Sequence, residues 1–273
     1  IFVDIYEKTF NINPDGIEEA VIFAKKQNLV PKAIIPVDLF GLPARYRLIN
    51  EVAKEHNLVI IEDFAQAFGS SIGAKKAGSF GNVSATSFYP AKPLGCYGDG
   101  GAIFTDDSDL AQKMKSIRVH GAGVNKYQNV RVGLNGRLDT IQAAILLEKF
   151  NIFENELKSR NEIANYYKSK INSDLVVPPF IPENYTSSWA QFSVVSKNKN
   201  VRKRLIDDLS KQRIPTAIFY SIPLHLQKVF KKLHYKKGSL PASEKISKLI
   251  FSVPMHPYLE RSDQDRIIEV LNK

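Results

Sequence analysis

The stretch Ser87–Gly95 (SFYPAKPLG), followed by Gly98-Asp99-Gly100-Gly101, is the most informative part of this chain. It places Lys92 in an apolar loop bounded by proline and glycine, directly after a predicted strand. Apolar surroundings of this kind desolvate an ammonium group and favour a lysine that forms Schiff bases. The alternative is an ordinary lysine in a hairpin loop, since most of the 38 Lys and Arg residues must be surface charges.

A second informative stretch, Leu58–Gln66 (LVIIEDFAQ), lies about twenty-five residues upstream of the lysine. Its apolar beginning predicts a strand buried on both faces, and therefore a parallel, central one. Asp63 falls at the carboxyl end of this strand, where open α/β sheets place their ligands. A carboxylate buried there needs a cation or a strong donor. The alternative is that Asp63 only caps the start of a following helix.

An acid at a strand end and a desolvated lysine one strand later suit one cofactor, pyridoxal 5′-phosphate. This cofactor needs a lysine to carry its aldehyde. It also needs a carboxylate that keeps its pyridine nitrogen protonated, so that the ring can act as an electron sink. Asp63 and Lys92 together therefore predict a pyridoxal-phosphate enzyme.

Several further segments carry a resemblance to a known family. They are Ala33–Val37, Glu62–Gly69, Ser87–Gly101, Arg118–Gly121, Gly133–Ala144, Ile214–Ala217 and Ser252–Tyr258. In these segments the chain resembles the DegT/StrS family of sugar aminotransferases, fold-type I pyridoxal-phosphate enzymes that act on nucleotide-linked keto-sugars. Among its branches, the chain most resembles aminotransferases of bacterial surface-polysaccharide pathways that act on UDP-2-acetamido-3-keto sugars.

The resemblance implies a role for each residue of the cofactor site. Lys92 would bind the cofactor covalently and then shuttle a proton, while Asp63 would pair with the pyridine nitrogen. Gln66 would lie against the ring, and Ser87 would donate its hydroxyl to the phosphate. Asn135 would reach the phosphate of the neighbouring subunit's cofactor, which makes the site composite and the enzyme a homodimer.

Three of these residues also have simpler interpretations. Ser87 could be a strand residue that faces a neighbouring backbone, and Gln66 could lie on an exposed helix surface. Asn135 next to Gly136 is an ordinary turn signature.

Substrate residues follow from the same resemblance. The expected partners are glutamate and a UDP- or dTDP-linked keto-sugar. Arg137 could hold a substrate carboxylate or phosphate in a bidentate manner, and Tyr89 and His225 are further candidates. We expect amination at C3 of a UDP-2-acetamido-3-keto uronate, for lipopolysaccharide, O-antigen or another surface glycan. Phe219 stands where some relatives carry a histidine near the sugar, which favours the alternative of a 6-deoxy keto-sugar aminated at C3 or C4.

Two other functions compete with amino transfer. A sugar dehydratase of the same family is one, but those relatives have a histidine in place of the lysine at position 92. A non-catalytic regulatory or binding protein on the same scaffold is the other, because a fold does not determine function. The intact set of Asp63, Gln66, Ser87 and Lys92 argues against it.

Composition adds limits on partners and location. The chain has 273 residues, a formal net charge of +10, 44% hydrophobic residues and one cysteine, Cys96. The basic residues are dispersed and form no recognisable nucleic-acid module, and no apolar run approaches the roughly 20 residues of a membrane span. A single cysteine suits a reducing cytoplasm. The histidines show no metal-ligand spacing, so we expect no metal.

The expected fold is α/β, with a mostly parallel central sheet flanked by helices and a smaller C-terminal α+β domain. We place the large cofactor-binding domain at 1–150 and the small domain, with the connecting long helix, at 151–273. Compared with the family, the beginning of the large domain is expected to be missing. Strands are predicted at Ala33–Val37, Leu58–Ile61, Ala85–Phe88, Ala102–Thr105, Ala190–Val195 (with one solvated face) and Thr216–Tyr220. Helices are predicted over Pro43–Glu55, from Ser108 to Ile117, from Asp139 toward Tyr167, over Val201–Lys211 and from Ser262.

Overall fold

A four-stranded sheet organises the first half of the chain in the computed structural model, which describes residues 1–125 and 127–273. The helices are α1 (Pro14–Lys26), α2 (Tyr46–Glu55), α3 (Ser108–Arg118), α4 (Thr140–Lys170), α5 (Lys199–Lys211), α6 (Pro241–Ile246) and α7 (Arg261–Asn272). The strands are β1 (Ala33–Ile34), β2 (Val59–Asp63), β3 (Ser71–Ile72), β4 (Lys75–Lys76), β5 (Val83–Ser87), β6 (Gly101–Phe104), β7 (Val176–Val177), β8 (Tyr185–Thr186), β9 (Phe192–Ser196) and β10 (Ile250–Val253). Short 3₁₀ helices cover Leu39–Gly41, Leu224–Leu226 and Lys228–Leu233.

The sheet has the strand order β1-β2-β5-β6, in which the first three strands are parallel and β6 is antiparallel to β5. Both predicted strands around the lysine loop are confirmed. The prediction that the strand carrying Asp63 is buried on both faces is wrong. Burial alternates along β2, with Val59 45% exposed and Ile60 2% exposed. One face of the strand packs on helices and the other is open in this chain.

Helix α2 joins β1 to β2 as predicted, although it begins at Tyr46 rather than Pro43. Its buried residues Tyr46, Ile49 and Ala53 recur at helical spacing and form one apolar stripe. This stripe packs on α1 and on the covered face of the sheet, in a cluster that includes Ile17 and Ile60. The result is a parallel β-α-β unit whose strand ends are fixed by a packed helix layer.

The second half of the chain has its own antiparallel sheet, ordered β10-β9-β7, and its own hydrophobic core. The prediction that β9 has one solvated face is wrong, because four of its five residues are buried. Polar residues of β9 are satisfied internally: the hydroxyls of Ser193 and Ser252 lie 2.8 Å apart. The predicted strand at Thr216–Tyr220 is also wrong. Only Ala217 makes a bridge, to Ser252.

Helix α4 connects the two halves. It runs for 31 residues, and so the predicted domain boundary at 150/151 falls within it. Asp139 occupies the predicted cap position, but its side chain makes no capping hydrogen bond. Across the described residues, no helix combines the length and the apolar character needed to span a membrane.

Candidate active site

The lysine loop connects β5 to β6 and is closed by backbone hydrogen bonds. The N–H of Phe88 donates to the carbonyl of Gly100 at 2.7 Å, and that of Cys96 donates to Phe88 at 2.8 Å. Within the loop, the N–H of Lys92 donates to the carbonyl of Tyr89 at 2.8 Å. Lys92 is half-buried, and the residues that follow it, Pro93 to Cys96, are buried. The loop therefore holds Lys92 in a defined turn rather than on a mobile hairpin tip.

Cys96 and Gly95 explain why this turn is tight. Cys96 is fully buried, and its Sγ donates to the carbonyls of Phe88 at 3.0 Å and Gly98 at 3.1 Å. A Cβ placed on Gly95 would lie 2.7 Å from the carbonyl oxygens of both Tyr89 and Pro90. Only glycine permits this close approach of backbone to backbone.

Asp63 lies at the carboxyl end of β2, as predicted, and is paired in register with Ala85 of the neighbouring β5. Its Oδ1 accepts the N–H of Ala65 at 3.1 Å, which closes a local turn. No helix begins after Asp63, so the helix-cap alternative is wrong. Among the described residues, no hydrogen bond or ion pair reaches Oδ2, which leaves this oxygen available to a ligand.

Gln66 is half-buried in the turn after β2, and so its interpretation as exposed helix surface is wrong. Its side-chain oxygen accepts the N–H of Phe40 at 2.6 Å. Its carbonyl accepts the hydroxyl of Ser188 at 2.8 Å. The carboxamide thus ties the end of β2 to the segment that follows β1.

Ser87 is the last residue of β5 and is half-buried, two residues beyond the partner of Asp63. Its Oγ accepts the N–H of Tyr89 at 3.2 Å. Its own O–H has no acceptor among the described residues, so it remains free to donate to a ligand. Tyr89 is 53% exposed and stands at the open side of the loop.

Asn135 and Arg137 are exposed in the single chain. Asn135 is extended and makes an antiparallel bridge with Val119, so the turn interpretation is wrong. Leu138, the next residue after Arg137, packs against the cluster that contains Phe88 and Leu94. The segment therefore runs beside the lysine loop, while Asn135 and Arg137 themselves face outward.

His225 differs from the other predicted substrate residues. It is 3% exposed, and its Nε2 lies 3.1 Å from Oε1 of the buried Glu244. This paired and buried position favours a structural role over contact with a substrate. The predicted substrate contact of His225 stays untested.

Two buried acids next to Asp63, Asp38 and Glu62, were not predicted as part of the site. Each is 0% exposed. Burial raises the pKa of Asp38 well above its usual value, and the negative charge of Glu62 raises it further. Burial also raises the pKa of Glu62, against three backbone N–H donors that lower it. Glu62 precedes Asp63 in the sequence, but nothing in the pattern places Asp38 beside it.

Possible metal ligands occur together away from the lysine loop. Oxygens or nitrogens of Glu18, Glu55 and His56 lie within 4.8 Å of one another at the junction of α1 and α2. Both glutamates are exposed, and Nζ of Lys25 lies 3.4 Å from Nδ1 of His56, where it would repel a cation. This arrangement gives no basis for a metal centre.

The donor set at the strand ends fits pyridoxal phosphate. It offers a primary amine on Lys92, a carboxylate oxygen without a protein partner on Asp63 and a free hydroxyl proton on Ser87. These three groups come from adjacent strands β2 and β5 and from the loop that follows, where parallel sheets place ligands. A lysine, an acid and a phosphate donor are the groups that this cofactor requires.

Comparison with known proteins agrees with this geometry. The model of the DegT/DnrJ/EryC1/StrS aminotransferase family matches residues 1–272. The UDP-2-acetamido-2-deoxy-3-oxo-D-glucuronate aminotransferase of Pseudomonas aeruginosa is 41% identical over 260 residues, which cover 95% of this chain and 69% of that protein. A protein of Geobacillus stearothermophilus named pleiotropic regulatory protein is 41% identical over 272 residues, covering 98% and 70%.

Solved structures give the same result. A DegT/DnrJ/EryC1/StrS aminotransferase from Brucella abortus superposes with a TM-score of 0.94 at 48% identity, covering 99% of this chain and 72% of that one. The fold is thus that of fold-type I pyridoxal-phosphate enzymes, as predicted. On the match over nearly its whole length, the chain belongs to the DegT/DnrJ/EryC1/StrS family of pyridoxal-phosphate-dependent aminotransferases.

Proposed function

We propose that this chain transfers an amino group from glutamate to a ketone carbon of a nucleotide-linked sugar, with Lys92 as the catalytic residue. The observation that carries the proposal is the pairing of Asp63 with Ala85. Because β2 and β5 are adjacent and parallel, their carboxyl ends bring the acid to the strand from which the lysine loop departs. Amino transfer needs this combination of a lysine base and a ring-binding acid.

Each residue at the strand ends has a defined task in this proposal. Bound pyridoxal phosphate supplies the electron sink that makes a substrate C–H bond acidic. Nζ of Lys92 then takes the proton from the donor carbon and later returns one to the acceptor side, so one group serves as base and acid. Asp63 would keep the pyridine nitrogen protonated, and the O–H of Ser87 would bind the phosphate.

Gln66 has a different task, because its side-chain oxygen is occupied by the N–H of Phe40. It holds the turn after β2 against the segment that follows β1, and its carboxamide would lie against the ring of the bound cofactor. The site therefore keeps its shape before a substrate arrives, which limits the reorganisation that the reaction requires.

The acceptor in this proposal is a UDP-2-acetamido-3-keto uronate, aminated at C3 for lipopolysaccharide, O-antigen or another surface glycan. The name of the Pseudomonas aeruginosa relative supports this choice. Arg137 is exposed, has no ion pair among the described residues and can receive the sugar carboxylate in a bidentate manner. Phe219 favours a second candidate, a 6-deoxy keto-sugar, because an apolar ring offers nothing to a carboxylate.

A homodimer with shared sites is part of the proposal. Asn135 and Arg137 face outward from their own chain, as residues that serve a partner's site must. On α4 nearby, Ile141 is 74% exposed and Leu147 is 69% exposed. Large apolar side chains in such a position are typical of a subunit interface.

Domain division and location complete the proposal. Residues 1–150 and 151–273 are proposed as two lobes, and their separate hydrophobic clusters support this division. We place the enzyme in the cytoplasm, since its one cysteine, Cys96, is unpaired and buried.

The test of the function uses the full-length protein loaded with pyridoxal phosphate. Borohydride reduction followed by peptide mapping should mark Lys92, and glutamate should be consumed when a keto-sugar nucleotide is present. Lys92→Ala should abolish both, whereas Lys113→Ala, which removes an exposed lysine of α3, should change neither. A label on another lysine, or turnover by Lys92→Ala, would contradict the proposal.

A further inference from the structure

Two acidic side chains are buried together directly behind Asp63. Asp38 and Glu62 are both fully inaccessible to solvent. The N–H of Asp38 donates to the carbonyl of Asp63 at 2.9 Å, and Val37 is bridged to Asp63. Glu62 precedes Asp63 in β2. Asp38 is thus joined to Asp63 by a backbone hydrogen bond, and Glu62 is joined to it along the chain.

Glu62 has the environment of an ionised carboxylate. Its Oε1 accepts the N–H of Gly78 at 2.5 Å. Its Oε2 accepts the N–H of Phe80 at 2.8 Å and that of Gly81 at 3.1 Å. Three backbone donors aimed at one carboxyl stabilise its charged form. Because these N–H groups point at both oxygens of Glu62, neither oxygen can carry a proton on the side that faces the Gly78–Gly81 loop.

Asp38 has the environment of a neutral acid. Its Oδ1 accepts the N–H of Ala44 at 2.8 Å and the O–H of Tyr46 at 2.9 Å. Its Oδ2 is buried and has no partner among the described donors. Among the described residues, Glu62 is the side chain whose carboxyl hydrogen-bonds with that of Asp38, and it can satisfy Oδ2 when a proton lies between the two carboxyls. Two adjacent buried carboxyls cannot both be charged.

We propose that Asp38 is a protonated carboxylic acid that donates its Oδ2 proton to Glu62, and that this hydrogen-bonded pair positions Asp63. The pair carries one negative charge, which the backbone N–H groups of the Gly78–Gly81 loop neutralise in part. It joins that loop and the segment from Asp38 to Tyr46 to the end of β2. That Asp63 in turn acts on the cofactor rests on the proposed function.

The other titratable groups around the pair do not replace this proton. Tyr46 of α2 donates to Asp38, and burial together with the nearby acids raises its pKa, so it stays protonated. Asp63 adds a negative charge at the end of β2. Tyr185 of β8 lies close enough to interact electrostatically with Asp38. Arg45 and Arg47 act on Tyr185, and Arg47 forms its ion pair with Glu51 on the surface. Within the described chain, no cation pairs with either buried acid.

The deciding variant is Asp38→Asn, because asparagine copies a protonated aspartic acid. Its Oδ1 can accept from Ala44 and Tyr46, and its Nδ2 can donate to Glu62. We expect this variant to retain far more cofactor and a far higher kcat/KM than Asp38→Ala, which loses both hydrogen bonds and the proton. Glu62→Gln should also lose cofactor and kcat/KM, because its amide N–H₂ would face backbone N–H donors.

The pH dependence of unfolding tests the proton without any activity measurement. An acid whose folded pKa is raised stabilises fully below its unfolded pKa of about 3.9, and this contribution is lost as pH rises through the folded pKa. Relative to Asp38→Asn, the folding equilibrium constant of the wild type should fall by about tenfold per pH unit within that window. Denaturant unfolding of both proteins between pH 4 and 9 measures this ratio.

Infrared difference spectra between wild type and Asp38→Asn provide an independent readout. The wild type should show the C=O stretch of a protonated carboxylic acid at neutral pH, and the variant should lack it. Absence of this band, a ratio independent of pH, or an Asp38→Asn variant as damaged as Asp38→Ala would each overturn the proposal. A failed sugar assay would leave these readouts unchanged, so the two proposals fail separately.

Discussion

Gly95→Ala should open the lysine loop and weaken cofactor binding. The added Cβ would lie 2.7 Å from the carbonyl oxygens of Tyr89 and Pro90, and ordinary contacts begin near 3.4 Å. Both obstacles are backbone atoms, so they must recede by about 0.7 Å, and Tyr89 is the acceptor of the Lys92 N–H. Forced overpacking of this kind costs about 1–3 kcal/mol. If the bound state bears that cost, cofactor affinity falls by about 5- to 150-fold.

Gly98→Ala in the same loop is the matched control. Its Cβ would first meet Nε2 of Gln142 at 3.1 Å, the end of a side chain that can shift slightly while its Oε1 still accepts the N–H of Tyr97. We expect a change in stability of less than about 0.5 kcal/mol. Absorbance titration with pyridoxal phosphate, thermal melting and kcat/KM compare the two variants. If Gly95→Ala binds cofactor like the wild type, or if Gly98→Ala is equally damaged, the reasoning from backbone contact is refuted.

Three further predictions concern the chemistry and the assembly. Asp63→Asn should keep the turn to Ala65 and the melting temperature but lower kcat by about 10³-fold or more, because it removes the carboxylate that pairs with the pyridine nitrogen. Near-normal turnover would count against the assigned geometry. Arg137→Ala should reduce kcat/KM for the uronate by about 10- to 150-fold, because it loses a charge-assisted bond of about 1.5–3 kcal/mol. It should change kcat/KM little for the 6-deoxy analogue, and an equal loss for both sugars would exclude a carboxylate contact. Mixing Lys92→Ala with Arg137→Ala subunits should restore some activity, because one hybrid site regains both residues, and no recovery despite demonstrated subunit exchange would show that sites are not shared.

Local sequence patterns predict the lysine loop and the helices of the chain well. Asp107 caps α3 through the N–H of Leu110, as its position before Ser108 indicates, because a cap depends on residues only three positions apart. The sequence predicts the parallel β-α-β unit equally well, because an apolar strand and an amphipathic helix each have a recognisable hydrophobic pattern. The position of Lys92 and Asp63 at neighbouring strand ends follows from the same rules.

Features that depend on distant partners are not predictable in this way. The segment from Thr216 to Tyr220 has strand-forming residues, yet only Ala217 finds a backbone partner in Ser252, so a regular strand does not form. The alternation of Gln191 and Ser193 with apolar residues suggests a solvated face, but Ser193 can be buried because Ser252 satisfies its hydroxyl. The pairing of Asp38 with Glu62 requires two strands and two loops to be in place before it exists.

The continuous helix α4 has a mechanical consequence. Its 31 residues extend for about 46 Å at 1.5 Å per residue. Near one end, Gln142 accepts the N–H of Tyr97 and Lys149 donates to the carbonyl of Gly95, so the helix is bonded to the loop that carries Lys92. Near the other end, Tyr167 donates to the carbonyl of Pro254 in the C-terminal half. Because one continuous helix is bonded to both, α4 couples the lysine loop to the C-terminal half, and a tilt of this helix would move the loop and the C-terminal half together.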